Sequence, residues 1–196
     1  MALSEIHAAA LRSLPREVTV FLESGAGTEQ TLHANREAFA RWVIRPRPVP
    51  GMDAPRTSTE ILGIPLAVPI MTAPFGGDGM YAADGHLAVA RANAACGTVS
   101  MVPEVAAAVA GRVPVLLDSG VRTGADVFVA LALGADAVVI GRLAAYGLAA
   151  AGEAGVRRVI ELLAEELRTL MTLAGAQDVG SITSDMITRG TQWPSS

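Results

Sequence analysis

Two arginines, Arg122 and Arg142, each close a short glycine-containing turn, Asp118-Ser119-Gly120-Val121-Arg122 and Gly141-Arg142. Each turn follows a β-branched run, 113–117 and 137–140, and a helical pattern starting at Gly124-Ala125-Asp126 lies between them. A strand–loop–helix–strand–loop unit of this kind suits a phosphate monoester. Glycines let amide N–H groups approach the oxygens, helix N-termini add positive potential, and arginine adds charge. Paired loops after the last two strands of a β/α barrel commonly hold such a group. The same pattern also reads as an ordinary βαβ turn with an exposed arginine beside a helix start. On the phosphate reading Ser119, Gly120, Val121 and Gly141 contribute mainly backbone amides, and Arg122 and Arg142 contribute charge.

Other chemistry-bearing residues are sparse. Of the three histidines, His86 in Asp84-Gly85-His86 begins a helix and reads as a solvated first-turn residue, with a role as base the alternative. His33, beside Arg36 and Glu37, reads as a surface residue. Tyr81 follows the flexible stretch Gly76-Gly77-Asp78-Gly79-Met80 and could approach a ligand at a strand mouth. A lone Cys96 excludes an internal disulfide and a cysteine-based zinc site, and its apolar helical setting suits the core. No metal site and no catalytic residue is assigned.

The elements that must position these residues follow from composition and period. At 196 residues the chain suits one domain, with hydrophobic residues at 51% and charged residues at 17%. That balance, with a mean hydropathy of +0.41, favours an α/β protein whose strands are covered on both faces. A net charge of −4 argues against a broad nucleic-acid-binding face. No apolar run reaches a membrane-spanning length and Glu5, His7 and Arg12 interrupt the N-terminal stretch, so a cytoplasmic location is expected.

Periodicity predicts helices over 4–14, from Pro15 to Leu22, over 29–39 with Thr28 as cap, over 84–95, 103–110 and 153–174. It predicts a short strand over 42–45, a hairpin over 59–66, and four buried strands over 68–71, 98–102, 113–117 and 137–140. One domain is expected, with N-terminal helices and hairpin over 1–66, a βα unit over 67–182, and a fraying tail over 183–196, polar from Thr188 onward.

Two regions resemble the FMN-dependent α-hydroxy acid oxidase and dehydrogenase family, which oxidises glycolate, lactate and mandelate. The first is Ser24-Gly25-Ala26-Gly27-Thr28-Glu29-Gln30-Thr31-Leu32 through Asn35, with Thr72-Ala73-Pro74 and Asp84-Gly85-His86-Leu87-Ala88-Val89-Ala90-Arg91. The second runs from 113 to about 181 and holds both glycine–arginine turns. Phe21, where many members carry tyrosine, points to the hydroxymandelate-oxidase-like branch. The resemblance implies an FMN cofactor and a β/α barrel of the TIM type. Thr72, Ala73 and Pro74 would lie beside the isoalloxazine ring and Asp118 near the ribityl chain, Asp118 otherwise being a loop cap. Glu29 matches a family position that capping explains.

The departure from the family is large. Barrels of this type run from about 200 to over 400 residues, and the four strands correspond by order to family strands one, two, seven and eight. The expected fold is therefore a half barrel. The family's histidine base in a Ser-Asn-His-Gly-Gly-Arg stretch, its carboxylate-clamping arginine and its flavin-facing lysine have no counterpart. All 15 basic residues are arginine, which does not reproduce a compact ammonium. Strands seven, eight, one and two would form one sheet with two free edges, so association of two chains through those edges is expected.

The implied function is that of an FMN-binding relative of enzymes converting 2-hydroxy acids to 2-oxo acids. The alternatives are a shrunken member repurposed for non-redox catalysis or binding of a small anionic or phosphorylated metabolite, and a non-catalytic assembly module.

Overall fold

Apolar residues one helical turn apart begin the chain's packing. In a computed structural model, which describes residues 2–47, 54–99 and 116–189, α1 (Leu3–Ser13) buries Ile6 and Ala10. The helix docks on a later one through Ser13, whose hydroxyl donates to the Ala149 carbonyl at 2.8 Å. Pro15 caps α2 (Arg16–Glu23), which buries Leu22. Next comes α3 (Gln30–Ala40), which buries none of its residues. Its apolar Leu32 and Phe39 are only partly buried, Phe39 packing against the edge of the core.

The short β1 (Trp42–Ile44) pairs antiparallel with the last strand, β7 (Ile187–Arg189). Strands β2 (Thr59–Ile61) and β3 (Ile64–Leu66) form a hairpin turned by Leu62 and Gly63 at positive φ. The central sheet contains β4 (Ile70–Thr72), β5 (Leu116–Asp118) and β6 (Ala137–Ile140), parallel and in the order β4-β6-β5. Every residue of β6 is buried, as expected of a parallel strand covered on both faces. Three helices complete the fold: α4 (Gly85–Ala95), α5 (Gly124–Ala132) and α6 (Arg142–Ala174).

One face of the sheet meets these helices. Val89, Val127, Phe128, Val138, Ile140, Ile160, Leu163 and Leu167 lie almost entirely out of solvent there. A smaller cluster of Ile61, Leu66, Met71 and Ala137 forms where the hairpin covers β4 and β6. Within α6 the backbone breaks at Ala151 and Gly152. Just around this break Gly147 and Gly155 touch backbone to backbone, where a side-chain carbon on either would collide with the other.

Several expectations change. The helix expected from Glu153 does start there, after the non-helical Ala151 and Gly152, and what was not expected is the separate helical arm that precedes it from Arg142. Thr28 does not cap α3. Glu29 holds that position in the left-handed region, φ 59°, and its side chain accepts the Gly25 N–H at 3.0 Å. Thr188 and Arg189 do not fray, because β1 supplies their ladder partners. Strand β4 runs one residue further than expected, to Thr72. Thr98 and Val99 are not in a strand, and the remainder of that expected strand lies outside the described residues. So do the helix expected over 103–110 and residues 113–115 of the strand that becomes β5. Three parallel strands and no closed barrel are present among the described residues.

Candidate functional site

The carboxyl ends of β5 and β6 open into one hollow of about 210 Å³. Asp118, Ser119, Gly120, Val121 and Arg122 line it from β5, and Gly141 and Arg142 from β6. The two glycine–arginine turns, separate in sequence, therefore share a single cavity. Leu32, Asn35 and Arg36 of α3 form its third wall.

The turn after β5 is held in an unusual backbone conformation. Ser119 and Gly120 have φ of 83° and 85°. Glycine adopts such values freely, whereas serine does so at a cost of about 1–3 kcal/mol. Asp118 acts as the turn's local acceptor, its Oδ1 taking the Ser119 N–H at 2.6 Å. A Cβ on Gly120 would stand 2.5 Å from the Asn35 carbonyl oxygen, so α3 can approach this loop only because residue 120 lacks a side chain.

The amides after this turn are already partnered. Thr123 caps α5 in a reciprocal arrangement with Asp126, whose Oδ2 accepts the N–H groups of Thr123 at 2.9 Å and Arg122 at 2.8 Å. Glu166 accepts the Gly124 N–H at 2.6 Å. These carboxylates consume the N-terminus of α5. The helix-end potential facing the hollow comes instead from α6, which starts at Arg142.

Arg142 is braced by donation from Nη1 to the Glu23 carbonyl at 2.9 Å and from Nη2 to the Ser24 carbonyl at 3.2 Å. Arg122 donates from Nη1 to its neighbour's Val121 carbonyl at 2.8 Å. Burial, followed by the nearby charge of Arg36, lowers the Arg122 pKa from the usual arginine value. Among the described residues, none of Arg36, Arg122 and Arg142 is in a salt bridge with a carboxylate. Three like charges line one cavity with the single carboxylate Asp118, and an incoming anion would relieve their repulsion.

Thr72, Ala73 and Pro74 lie at the neighbouring strand end and do not line this hollow. Thr72 is fully buried and its Oγ1 accepts from Asn93 Nδ2 at 2.9 Å. The Ala73 N–H donates to the Ile140 carbonyl at 2.9 Å, and a Cβ on Gly141 would sit 3.5 Å from that of Ala73. Pro74 is exposed. A second hollow of about 450 Å³ adjoins the first through Gly141 and Arg142 and is walled by Phe21, Phe75 and Tyr81. Burial raises the Tyr81 hydroxyl above the ordinary phenol range.

His86 differs from the solvated residue expected. Its Nδ1 lies 3.0 Å from Asp78 Oδ2, which also accepts the His86 backbone N–H at 2.7 Å, while its Nε2 is buried without a partner. His33 is exposed as expected, with Glu29 3.9 Å away. Cys96 is only partly buried, and burial raises its thiol pKa.

A further cluster went unread in the sequence: the Tyr146 hydroxyl donates to Glu23 Oε1, and His7 Nε2 lies 3.3 Å from the same oxygen. Burial of Glu23 opposes its ionisation, but hydrogen bonding from Tyr146 and the charge of His7 outweigh this and lower its pKa. Burial and the bond to Glu23 raise that of Tyr146. This cluster and the Arg36–Arg122 pair line a third hollow. Asn35 and Arg36 were also missed as site residues. Their signal was the polar pair itself on a weakly amphipathic helix, but which side of α3 meets the loop depends on tertiary packing.

Comparison with known proteins agrees with this geometry. The profile of the family described as FMN-dependent dehydrogenase matches residues 10–102 and 93–189. An L-lactate dehydrogenase of Pseudomonas paraeruginosa is 45% identical over 122 residues, covering 59% of this chain and 30% of that protein. The peroxisomal (S)-2-hydroxy-acid oxidase GLO4 of Oryza sativa subsp. japonica is 56% identical over 94 residues, 47% of this chain and 26% of its own length. The chain thus spans less than a third of the length of these curated relatives. In fold it is similar to a lactate oxidase of Pediococcus acidilactici, with a TM-score of 0.87 at 21% identity, over 97% of this chain and 95% of that one. It is similar also to a soluble mutant of the (S)-mandelate dehydrogenase of Pseudomonas putida, with a TM-score of 0.84 at 19% identity, over 96% and 99% of the two chains.

Proposed function

Because the chain belongs to the FMN-dependent dehydrogenase family, we propose that it binds FMN with the phosphate in the arginine-lined hollow. The observation that carries this reading is the convergence of Arg122 and Arg142 on one cavity at adjacent strand ends. The residues fit an anionic group: the glycine at 120 lets α3 close on the turn, and Arg36, Arg122 and Arg142 line the hollow without a salt bridge to a carboxylate among the described residues. Arg122 and Arg142 would hold the phosphate, with Gly120, Val121 and Gly141 offering backbone at close range. Asp118 stands at the same rim. Thr72, Ala73 and Pro74 would flank the ring on the β4 side, next to the aromatic hollow of Phe21, Phe75 and Tyr81.

When bound, FMN supplies a two-electron acceptor for oxidation of a 2-hydroxy acid. This chain's residues bind and orient: Arg142 is fixed by two carbonyls, and Asp126 and Glu166 keep the α5 amides occupied. No Ser-Asn-His-Gly-Gly-Arg stretch occurs in the sequence, so turnover requires a base from outside the described machinery. A second reading, binding of another phosphorylated or carboxylated metabolite, is favoured by the small size of the charged hollow, which suits an anionic head group alone.

The strand order β4-β6-β5 supports reading these as family strands one, eight and seven, since the eighth strand of a closed barrel would lie between the other two. Among the described residues β4 and β5 each pair within the sheet only with β6. Free outer edges of this kind support pairing of two chains, with a solution mass of twice the monomer as the check.

The spectrum of the purified protein before and after adding FMN tests the main reading. Retained flavin absorbance in the wild type, lost in Arg122→Gln, is expected. A colourless protein that takes up no added FMN would overturn it. Bleaching of bound flavin by an aromatic 2-hydroxy acid would establish that redox turnover persists.

A further inference from the structure

We propose that Arg36 is a third phosphate ligand, delivered by α3, and that it makes the hollow selective for a dianionic phosphate monoester over singly charged anions. This rests on the phosphate reading of the hollow given above and names a residue and a selectivity beyond it.

Three observations converge. Arg36 and Asn35 of α3 line the hollow together with both strand-end turns, so a bound anion would meet α3 as well as the two strand ends. The backbone is shaped for that approach: residue 120 at φ 85° meets the Asn35 carbonyl so closely that only glycine fits. Finally, α3 buries none of its own residues. Its inward side holds only the partly buried Leu32, Asn35 and Phe39, and Leu32, Asn35 and Arg36 are what it presents to the hollow.

The charge balance gives the selectivity. The cavity lining itself holds Arg36, Arg122 and Arg142 against one carboxylate, Asp118, a formal excess of two positive charges, with Glu23 and Asp126 lying behind the lining. A phosphate monoester approaches two negative charges above its second pKa of about 6, whereas a carboxylate or a phosphodiester carries one. Arg36 and Arg122 line both this hollow and the adjoining one beside Tyr146, so the two guanidinium groups are neighbours. Without an anion, this proximity is repulsive.

The experiment compares FMN, riboflavin and inorganic phosphate on the wild type, Arg36→Gln and Arg36→Lys by calorimetric titration, with the melting temperature of each ligand-free protein. Arg36→Gln is expected to weaken FMN by about tenfold or more, in the range of a lost charge-assisted hydrogen bond, and to leave riboflavin affinity unchanged. Arg36→Lys restores part of the loss. The Gln penalty shrinks from pH 7.5 to pH 5, where the phosphate loses its second charge. Ligand-free Arg36→Gln melts no lower than the wild type, since a repulsion has been removed.

Equal FMN affinity in wild type and Arg36→Gln would overturn the proposal. So would equal weakening of FMN and riboflavin with a lower melting temperature, which would mark Arg36 as structural. If neither flavin binds but inorganic phosphate stabilises the wild type more than Arg36→Gln, the flavin reading fails and the role of Arg36 stands. If neither FMN nor inorganic phosphate engages the wild type, both fail.

Discussion

Ser119 and Gly120 face the same backbone demand with different means. Serine at φ 83° is held there by the surrounding loop, so Ser119→Gly should stabilise the ligand-free protein by about 1 kcal/mol, measured as a higher urea midpoint at unchanged slope. Gly120→Ala should act oppositely. Its Cβ meets the Asn35 carbonyl, so a loss of about 2–3 kcal/mol is expected, together with weaker phosphate binding as α3 is pushed away. Asp78 provides a pH prediction. The backbone N–H of His86 is the main cause holding its carboxyl below the usual range. A carboxyl with a lowered folded pKa contributes stability above its unfolded value near 4, and loses it as pH falls through the folded value. Asp78→Asn should therefore lower the stability at neutral pH and converge with the wild type as pH falls below about 4, as followed by thermal melts across pH.

Among the elements, α5 shows how the sequence and the contacts divide the work. Its start at Gly124 was legible from Thr123 and Asp126, residues of the capping type, and the reciprocal bonds are present. Thr123→Ala should cost about 1 kcal/mol in chemical denaturation. What local pattern could not reveal was that Asp126 and Glu166 would occupy the α5 amides, because Glu166 arrives from a helix 42 residues away in sequence. The glycine–arginine turns were readable because a strand end, a glycine and a charge are all local signals. Arg36 was not, since a polar helix does not announce which side meets a neighbour. The early start of α6 was hidden for a similar reason: two glycines in contact across a break at Ala151–Gly152 look in sequence like a helix stop. His86 read as solvated because its partner Asp78 belongs to a glycine-rich stretch that only the folded turn brings close.

For the whole molecule, the parallel sheet and the helix-covered core followed from composition, whereas the pairing of β1 with β7 did not, because it joins segments far apart in the chain. That pairing has a consequence for anyone altering the C-terminal region. β1 follows α3 almost directly, and Trp42, Val43 and Ile44 find their ladder partners in Arg189, Thr188 and Ile187. A stop codon placed after Ser184 would unzip this clasp and leave α3 without its anchor. Although none of the described side chains it removes lines the charged hollow, such a truncation should loosen the grip on phosphate. The last strand is in effect the drawstring of a purse whose mouth lies elsewhere.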